Sequence, residues 1–459
     1  MKTTIKNLLL LPVLIASLGL ISAGRVSAQT FTTLYSFVSS NGSTGINPNA
    51  IVLGSDGNFY GTTSQGGTII NNNYPAGMGT VFQLTTNGTL TNLFDFDVDN
   101  GLYPYGSLIQ GVNGDFYGTT AEGGNGYGSV FMVATNGDLN SFPMSRTGGG
   151  NPVAGLTIGT DGNFYGTTEY GTNGTGSVFR FTTNGTFTTI ASFIGTNGED
   201  PVAALALGND GNFYGTTLQG GNTNLNDGSG WGTVFQVTTN GTLTNLVLFN
   251  NTNGANPYAR LILSGNTIYG TTSGGGKWGD GTVFKLNNDG THFTNLYNFA
   301  GGVNGFNPRG GLTLSGSTLY GEAANGGSSG NGTIFAVNTD GSGFTNLHSF
   351  NYTDGSQPQS ELILSGNTLF GSTAYGGNEN QGTVFSLFLP PPQLTITYSS
   401  TNVIMNWANY APNVTLQSTT NLISPAVWNT NLPPPVLVGG LNTVTNVISG
   451  IQAFYRLSQ

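Results

Sequence analysis

Cysteine is absent from the 459-residue sequence, and charged residues make up only 7% of it. Without cysteine the chain can form no disulfide bond and no cysteine-based structural zinc site. A chain of this length can still bury enough apolar surface to fold without such cross-links. Its Gly-Gly runs follow predicted strands and open no helix, so they are not phosphate loops. We therefore expect no cofactor.

Positive charge is also scarce, with ten lysines and arginines against 20 acidic residues. Three of the ten (Lys2, Lys6 and Arg25) lie within the first 28 residues, so the remaining chain carries seven cations and a formal net charge of −13. A surface so poor in cations cannot neutralise phosphates. This argues against nucleic acid and anionic membranes as partners and favours neutral ones.

The first 28 residues have the pattern of a secretory signal peptide. Two lysines form a basic start, residues 8–21 are apolar, and residues 26–28 (VSA) are small at the expected cleavage position. The apolar run is shorter than the ~20 residues of a membrane helix and is interrupted by Pro12. We expect residues 1–28 to be removed and the mature protein, without a transmembrane segment, to be an extracellular or surface-associated monomer.

An aromatic–glycine step recurs seven times in the chain, within DGNFYGTT or looser copies of it. The aromatic residue falls at Tyr60, Tyr117, Tyr165, Tyr214, Tyr269, Tyr320 and Phe370. The intervals of 57, 48, 49, 55, 51 and 50 residues indicate one structural unit in tandem. Each unit contains four short strand signals separated by Asp-Gly or Asn-Gly turns, which are strong hairpin signals.

The last repeat unit is incomplete, and the strand missing from it stands before the first unit. A fourth-strand sequence, FTTLYSF at Phe31–Phe37, precedes the first repeat, and the last repeat ends after its third strand at Leu387. In an open solenoid, a fourth strand at the N-terminus would be far from the last sheet and could not pair with it. In a ring, the N-terminal strand completes the last sheet and leaves no open edge. The sequence therefore predicts an all-β protein with a seven-bladed β-propeller over residues 29–389, closed by a 3+1 blade.

The order of the strands also predicts what each end of the propeller carries. The first strands should line the axis. The variable loops between second and third strands should share one end with the crossovers between blades. After a proline linker at residues 390–392, residues 393–459 alternate as half-buried strands. This pattern predicts a small Ig/fibronectin-like β-sandwich with Trp407 in its core.

Two stretches, Tyr214–Leu246 and Tyr269–Phe299, combine YGTT with a following GTVF. In this they resemble the Gloeobacter/Verrucomicrobia (GloVer) tandem repeat, and the resemblance covers about Phe31 to Leu387. The tail, with LQSTTNL at Leu416–Leu422 and a terminal FYRL, is similar to a C-terminal module of exported verrucomicrobial proteins. The resemblance implies a secreted or surface-associated repeat protein. The resemblance implies no catalytic residues, because this family is recognised by its repeat rather than by an activity.

Aromatic residues of the predicted long-loop end are the candidate ligand-binding residues. One position, directly before a Gly-Thr or Gly-Ser pair, holds a different residue in different repeats: Met78, Tyr127, Trp231, Asp280, Asn331 and Gln381. A variable residue in a fixed frame is typical of a binding rim. We expect Trp231, Trp278, Tyr74 and Tyr127 to contact a ligand. Alternatively, the two tryptophans cover the ends of blade interfaces.

Acidic residues suggest a different chemistry. Paired carboxylates can hydrolyse glycosides, and four acids lie in or beside the variable loops: Glu122, Glu169, Glu322 and Glu379. The run Asp95–Gly101 has the acidic spacing of a calcium loop, but Asn100 stands where that loop needs glycine. We therefore expect no metal site.

Two classes of function fit these features. We expect a non-enzymatic binding or scaffold protein whose partner is a glycan or another surface protein, with no catalytic residues. The alternative is a propeller-type polysaccharide-degrading enzyme, either a glycoside hydrolase or a lyase. Acids that converge with a perturbed carboxylate pair would favour the enzyme, whereas scattered acids and rim aromatics would favour binding.

Overall fold

A computed structural model describes residues 29–38, 44–70, 72–145, 149–171, 173–390, 393–399, 402–408, 414–420, 426–430, 432–438, 441–447 and 453–458. The predicted signal peptide, residues 1–28, lies outside these ranges, as do Pro391 and Pro392 of the predicted linker. The described residues contain no α-helix, and the predicted all-β class is confirmed. No helix in these ranges has the length and apolarity needed to cross a membrane.

The repeat region folds into seven antiparallel sheets, which we number sheets 1 to 7 in chain order. Sheet 1 contains the strands Ile46–Leu53, Phe59–Gln65, Thr80–Leu84 and Leu90–Asp95. Sheet 2 contains Ile109–Gln110, Phe116–Thr120, Ser129–Val133 and Leu139–Pro143. Sheet 3 contains Thr157–Ile158, Phe164–Thr168, Ser177–Phe181 and Phe187–Ser192. Sheet 4 contains the strands Ala206–Leu207, Phe213–Thr217, Thr233–Val237 and Leu243–Leu248. Sheet 5 contains Ile262–Ser264, Thr267–Thr272, Thr282–Asn287 and Thr294–Asn298. Sheet 6 contains Thr313–Ser315, Thr318–Ala323, Thr333–Asn338 and Thr345–Ser349. Sheet 7 contains Ser356–Pro358, Ile363–Ser365, Thr368–Tyr375, Thr383–Phe388 and the N-terminal strand Thr30–Ser36. Short 3-10 helices occur at Asn226–Gly228 and Gly302–Asn304.

The N-terminal strand Thr30–Ser36 takes the place of a fourth strand in sheet 7. It pairs antiparallel with Thr383–Phe388, and its register shifts between Thr33 and Tyr35. The fourth strands of sheets 1, 3, 4, 5 and 6 shift register at the same point, against the third-strand phenylalanine. Only the degenerate fourth strand of sheet 2, Leu139–Pro143, pairs without a shift. The bulge is thus a property of the repeated sequence, and the N-terminal strand has it too.

A close approach between the second and third strands explains why YGTT and GTVF occur together. The glycine of every Tyr-Gly or Phe-Gly step lies opposite a third-strand phenylalanine, as Gly215 lies opposite Phe235. A Cβ atom on Gly215 would lie 2.5 Å from Cζ of Phe235, which is closer than packed atoms approach. Glycine therefore provides the space that the buried phenylalanine ring occupies.

Neighbouring sheets pack through seven buried clusters, each formed by two sheets. Six clusters join sheets that are consecutive in the chain, and the seventh joins sheet 7 to sheet 1. Tyr60 stacks on Phe116 with ring centroids 4.0 Å apart. Between sheets 7 and 1, the ring centroids of Phe370 and Phe59 are 4.7 Å apart. Burial of such rings is the main stabilisation available to a chain without disulfides.

Side-chain hydroxyls also connect each sheet to the next. The residue after each Tyr-Gly step is threonine in sheets 1 to 5, and its hydroxyl donates to a carbonyl of the following sheet. In sheet 7 the equivalent residue is Ser372, and its Oγ donates to the carbonyl of Asn49 in sheet 1 at 2.7 Å. Sheet 6 differs, because Glu322 occupies this position.

The tail forms two further sheets. One has the strand order Thr395–Ser399, Asn402–Ala408, Leu441–Val447, Val436–Val438, and the other pairs Thr415–Thr419 with Phe454–Ser458. The side chain of Trp407 is buried in a cluster to which both sheets contribute. That residues 393–459 form a separate Ig/fibronectin-like sandwich stays a prediction.

Candidate functional site

A residue–proline pair with unusual backbone geometry lies in or before the first strand of each sheet of the repeat region. The residue before the proline has a positive φ of 53–60° in all seven sheets: Asn47, Tyr103, Asn151, Asp200, Asn256, Asn307 and Gln357. This conformation is uncommon for residues other than glycine, and it tends to occur where function constrains the backbone. In six sheets the amide of this residue donates to the carbonyl of the variable residue before the third strand of the neighbouring sheet, as Asn256 does to Trp231 at 2.9 Å. The main chain therefore holds the variable position, so its side chain is free to differ.

The seven proline segments converge on one cavity of about 480 Å³, which we name the central cavity. The residue directly after each proline lines it: Asn49, Tyr105, Val153, Val202, Tyr258, Arg309 and Gln359. Ser64 and Tyr375, at the ends of Phe59–Gln65 and Thr368–Tyr375, and Glu169, directly after Phe164–Thr168, also line it. The cavity thus opens at the end that carries the second-to-third-strand loops. A volume of this size suits a small-molecule ligand.

Charged residues of the central cavity come from four sheets. Arg260 of sheet 5 lies 3.7 Å from the carboxylate of Glu361 of sheet 7. Burial raises the pKa of Glu361, and the neighbouring Arg260 opposes this rise. Arg309 of sheet 6 lies over the ring of Tyr258, 5.5 Å from its centroid. Glu169 of sheet 3 is the fourth charged residue.

A buried carboxyl lies behind the lining residue Ser360. Oε2 of Glu322 accepts hydrogen bonds from the amide and hydroxyl of Ser360 at 2.9 and 3.3 Å. Oε1 of Glu322 has no hydrogen-bond partner among the described residues. Burial raises the pKa of Glu322 well above its ordinary value, although the two bonds from Ser360 oppose this. The neutral acid is therefore favoured here.

A second depression, of about 700 Å³, is lined by residues of sheets 1, 2 and 3 at the same end, and we name it the tyrosine groove. Its lining includes Tyr74, Tyr127 and Tyr170, one acid, Glu122, and several glycines. The side chain of Tyr170 is 55% exposed, whereas Tyr74 and Tyr127 pack partly against the core. Among the described lining residues there is no cation. Aromatic faces beside hydrogen-bonding groups suit a polyhydroxylated, uncharged ligand.

Glu169 and Asp200 are two interacting acids, of which only Glu169 lines the central cavity. Asp200 lines neither the cavity nor the tyrosine groove. Glu169 lines the cavity, and the side-chain amide of Asn151, which lines the groove, donates to its carboxylate. Burial raises the pKa of Glu169, and the bond from Asn151 opposes this. Burial, followed by the charges of Glu199 and Glu169, raises the pKa of Asp200 to about 6. Asp200 can therefore exchange a proton near neutral pH beside a second carboxylate.

The structure brings together two of the four predicted ligand-binding residues and places the other two elsewhere. Tyr74 and Tyr127 line the tyrosine groove. Neither tryptophan lines the groove or the central cavity. Trp231 packs partly buried on the core cluster between sheets 4 and 5, while Trp278 is 58% exposed with the Lys277 ammonium 4.6 Å from its ring centroid.

The acidic run with calcium-like spacing has other partners. The Asp97 carboxylate accepts bonds from the amides of Asp99 and Asn100, as in a turn. The Asp95 carboxylate accepts bonds from Thr68 and Asn92. Within the described part of the chain, no group of three His, Asp or Glu side chains is placed to hold a metal ion.

Sequence reasoning missed Asp200, Tyr170 and the arginines of the central cavity. The available signal was the residue–proline pair, which recurs once per repeat, together with the variable residue that follows each proline. A variable residue in a fixed frame is the signal that marks Tyr127. The same signal in this second frame marks Tyr105, Tyr258 and Arg309.

Comparisons with known proteins give a family and distant likenesses. No curated protein matches the chain. Among solved structures, a gluconolactonase of Xanthomonas campestris is 12% identical with a TM-score of 0.41, over 80% of this chain and 92% of its own. A chain of a nidogen/laminin complex is 13% identical with a TM-score of 0.41, over 63% and 97%. A mutant puromycin hydrolase is 11% identical with a TM-score of 0.49, over 83% and 62%.

The repeat sequence gives the clearer result. The Gloeobacter/Verrucomicrobia repeat matches residues 17–229 and again residues 223–423. The two matches together include all seven Tyr-Gly or Phe-Gly steps, from Tyr60 to Phe370. The chain therefore belongs to the Gloeobacter/Verrucomicrobia repeat family.

Proposed function

We propose that the protein is an exported, non-enzymatic binding protein, built as a closed seven-bladed β-propeller, that holds a neutral glycan in the tyrosine groove. Export is the expectation from residues 1–28. The propeller is supported by the seven sheets, the place of Thr30–Ser36 in sheet 7, and the cluster that joins sheets 7 and 1. In this arrangement the long-loop end is the binding face.

The observation that carries the proposal is the composition of the tyrosine groove. Three tyrosines offer flat apolar faces together with hydroxyls, and Glu122 can accept hydrogen bonds from sugar hydroxyls. Tyr127 is held from behind, since the α-carbon of Gly150 carries no side chain and a Cβ there would lie 3.1 Å from the Tyr127 ring. Rings fixed in this way lose little conformational entropy on binding. The lack of a cation among the described lining residues favours an uncharged ligand over an anionic one.

A glycan-array screen of the mature protein, followed by titration calorimetry with the best glycan, tests this function. Tyr170→Ala should weaken binding by roughly 1–3 kcal/mol, as expected for an aromatic contact at the centre of a site. Tyr170→Phe is the matched control, because it keeps the stacking face and removes only the hydroxyl. Equal binding by the unaltered protein and Tyr170→Ala would contradict the proposal, as would selection of a surface protein with no glycan bound.

The perturbed acids give a specific reason to keep a second candidate, a polysaccharide-degrading enzyme. Asp200, with a pKa of about 6, would serve as the proton donor, and Glu169 as the second carboxylate. Release of reducing ends from the bound glycan, lost in both Asp200→Asn and Glu169→Gln, would establish this enzyme. If the glycan binds and no new ends form, the protein is a binding protein.

A further inference from the structure

We propose that the central cavity is a second ligand site, separate from the tyrosine groove, which binds the carboxylate of a small ring-bearing molecule through Arg309. The proposal does not depend on glycan binding in the groove. It rests on the charge, the geometry and the aromatic lining of the cavity.

Arg309 is the cation of the cavity lining that has no ion-pair partner among the described residues. Glu361 is already paired with Arg260 at 3.7 Å, and the carboxylate of Glu169 accepts the bond from Asn151. Arg309 makes no ion pair among the described residues. The side chain of Arg309 is exposed but lines the concave site, where an unpaired guanidinium is accessible to an anion.

The guanidinium of Arg309 is also held in place. Its Nε donates to Oδ1 of Asn307 at 3.3 Å, and its Cζ lies over the ring of Tyr258, 5.5 Å from the centroid. Within the described residues these contacts leave the two terminal nitrogens without a hydrogen bond. A planar guanidinium whose two terminal nitrogens are available as donors is suited to bind both oxygens of a carboxylate.

The rest of the lining fits a ring. Tyr105, Tyr258 and Tyr375 are 46%, 40% and 39% exposed, although all three line the cavity. Val153 and Val202 add an apolar stretch from sheets 3 and 4. Tyrosine faces and apolar side chains favour a flat or ring-shaped body, and about 480 Å³ accommodates a single ring with its substituents.

The charges that line the cavity favour a ligand with one negative charge over a ligand with two. A phosphate dianion would meet one free arginine and two acids, Glu169 and Glu361, on the same lining. A carboxylate needs one cation and leaves the Arg260–Glu361 pair intact. The placement is distinctive in a chain with only seven cations after residue 28, because two of these line a single cavity.

Titration calorimetry on the full mature protein tests the site with two acids and their neutral counterparts: glucuronate against glucose, and benzoate against benzyl alcohol. At least one acid should bind at least tenfold more tightly than its neutral counterpart. Arg309→Gln should reduce acid binding tenfold or more, and Arg309→Lys should give an intermediate loss because it keeps charge without the planar fork. Lys277→Gln is the matched control, since it removes one positive charge beside Trp278, away from the cavity lining, and should bind like the unaltered protein.

The two acids also distinguish the source of the ligand. Binding of glucuronate alone identifies an acidic sugar, binding of benzoate alone identifies an aromatic acid, and binding of both supports the shared carboxylate chemistry. The proposal is overturned if neither acid binds the unaltered protein, if acid and neutral compounds bind alike, or if Arg309→Gln and Lys277→Gln have equal effects. Tyr170→Ala should leave acid binding unchanged, so that failure of this site and failure of the groove can be told apart.

Discussion

The imidazole of His348 stacks on the ring of Phe31, with centroids 3.9 Å apart and planes inclined by 7°. Phe31 belongs to the N-terminal strand, and His348 to the fourth strand of sheet 6. The Phe31 ring also lies 5.3 Å from that of Phe385 and meets Phe350 edge-on at 5.6 Å. The N-terminal strand is therefore held by side chains of sheet 6 as well as by its backbone pairing in sheet 7.

Replacement of Phe31 by alanine should destabilise the whole repeat region. Loss of this ring should lower the free energy of unfolding by about 2–4 kcal/mol, somewhat below the figure for a fully buried phenylalanine. Denaturant unfolding measures the change. Thr32→Ala, at an exposed position of the same strand, is the control and should have little effect. If both variants unfold alike, the Phe31 ring does not stabilise the repeat region.

The repeated elements could be predicted from sequence because they are specified locally. Four strands per sheet follow from the turn residues, from the alternation of apolar and polar residues in the strands, and from the repeated aromatic–glycine step, of which Tyr165 is one copy. The separation of Phe31–Phe37 from the last repeat identifies where the missing fourth strand belongs. These features depend on short-range chemistry, which recurs often enough to be recognised in one chain.

The candidate sites could not be predicted in this way, because they combine residues from different sheets. Glu169 and Asp200 are neighbours only once sheets 3 and 4 pack, and their pKa shifts follow from that burial. Tyr170 and Tyr127 similarly come from adjacent sheets. Trp231 is a large aromatic residue in a variable position, and the sequence alone does not distinguish a side chain that packs against the core from one that projects into solvent.

The buried acid Glu322 should make the protein less stable as the pH rises. Its pKa in the folded state is raised above that in the unfolded state, so the folded protein binds the proton more tightly. The stabilisation is complete below the unfolded pKa and is lost as the pH rises through the folded pKa. In that interval, each pH unit costs about 1.4 kcal/mol for a single group.

Glu322→Gln should remove this dependence, because the amide is neutral at every pH and has nearly the same shape. We expect the variant to match the unaltered protein near pH 4 and to melt at a higher temperature at pH 7–8. Glu379→Gln, at an exposed position, is the control for the loss of one carboxylate. Parallel melting curves of Glu322→Gln and the unaltered protein across this range would disprove a titrating buried acid.

Asp200→Asn should also stabilise the protein above pH 6, to a smaller extent. The folded pKa of Asp200 is raised to about 6, so its favourable contribution is complete below the unfolded pKa of about 4 and is lost as the pH rises through 6. Asparagine is compatible with the backbone, since it occupies the equivalent positive-φ position in four other sheets: Asn47, Asn151, Asn256 and Asn307.

The side chain of Asp200 is only partly buried, so salt should reduce the effect. Thermal melting at pH 4 and pH 8, in low and high salt, measures it. Asp227→Asn is the matched control, because Asp227 is exposed and has a similar positive φ of 53°. The assignment fails if Asp200→Asn changes the melting temperature equally at both pH values.

The two tryptophans should respond differently to replacement by alanine. Trp231 packs against the core between sheets 4 and 5, so Trp231→Ala should lower the free energy of unfolding by roughly 1–3 kcal/mol, less than for a fully buried tryptophan. Trp278 is 58% exposed, so Trp278→Ala should leave stability within about 0.5 kcal/mol.

Binding separates the two variants further. Under the proposed function, a glycan that extends from the tyrosine groove to Trp278, in the second-to-third-strand loop of sheet 5, should bind Trp278→Ala more weakly by about 1–2 kcal/mol. Trp278→Phe, which keeps an aromatic face, should retain most of the affinity. Melting curves and calorimetry on the same samples decide the outcome. If Trp278→Ala melts at a lower temperature with binding intact, Trp278 is a packing residue, and the ligand contacts are confined to the tyrosines.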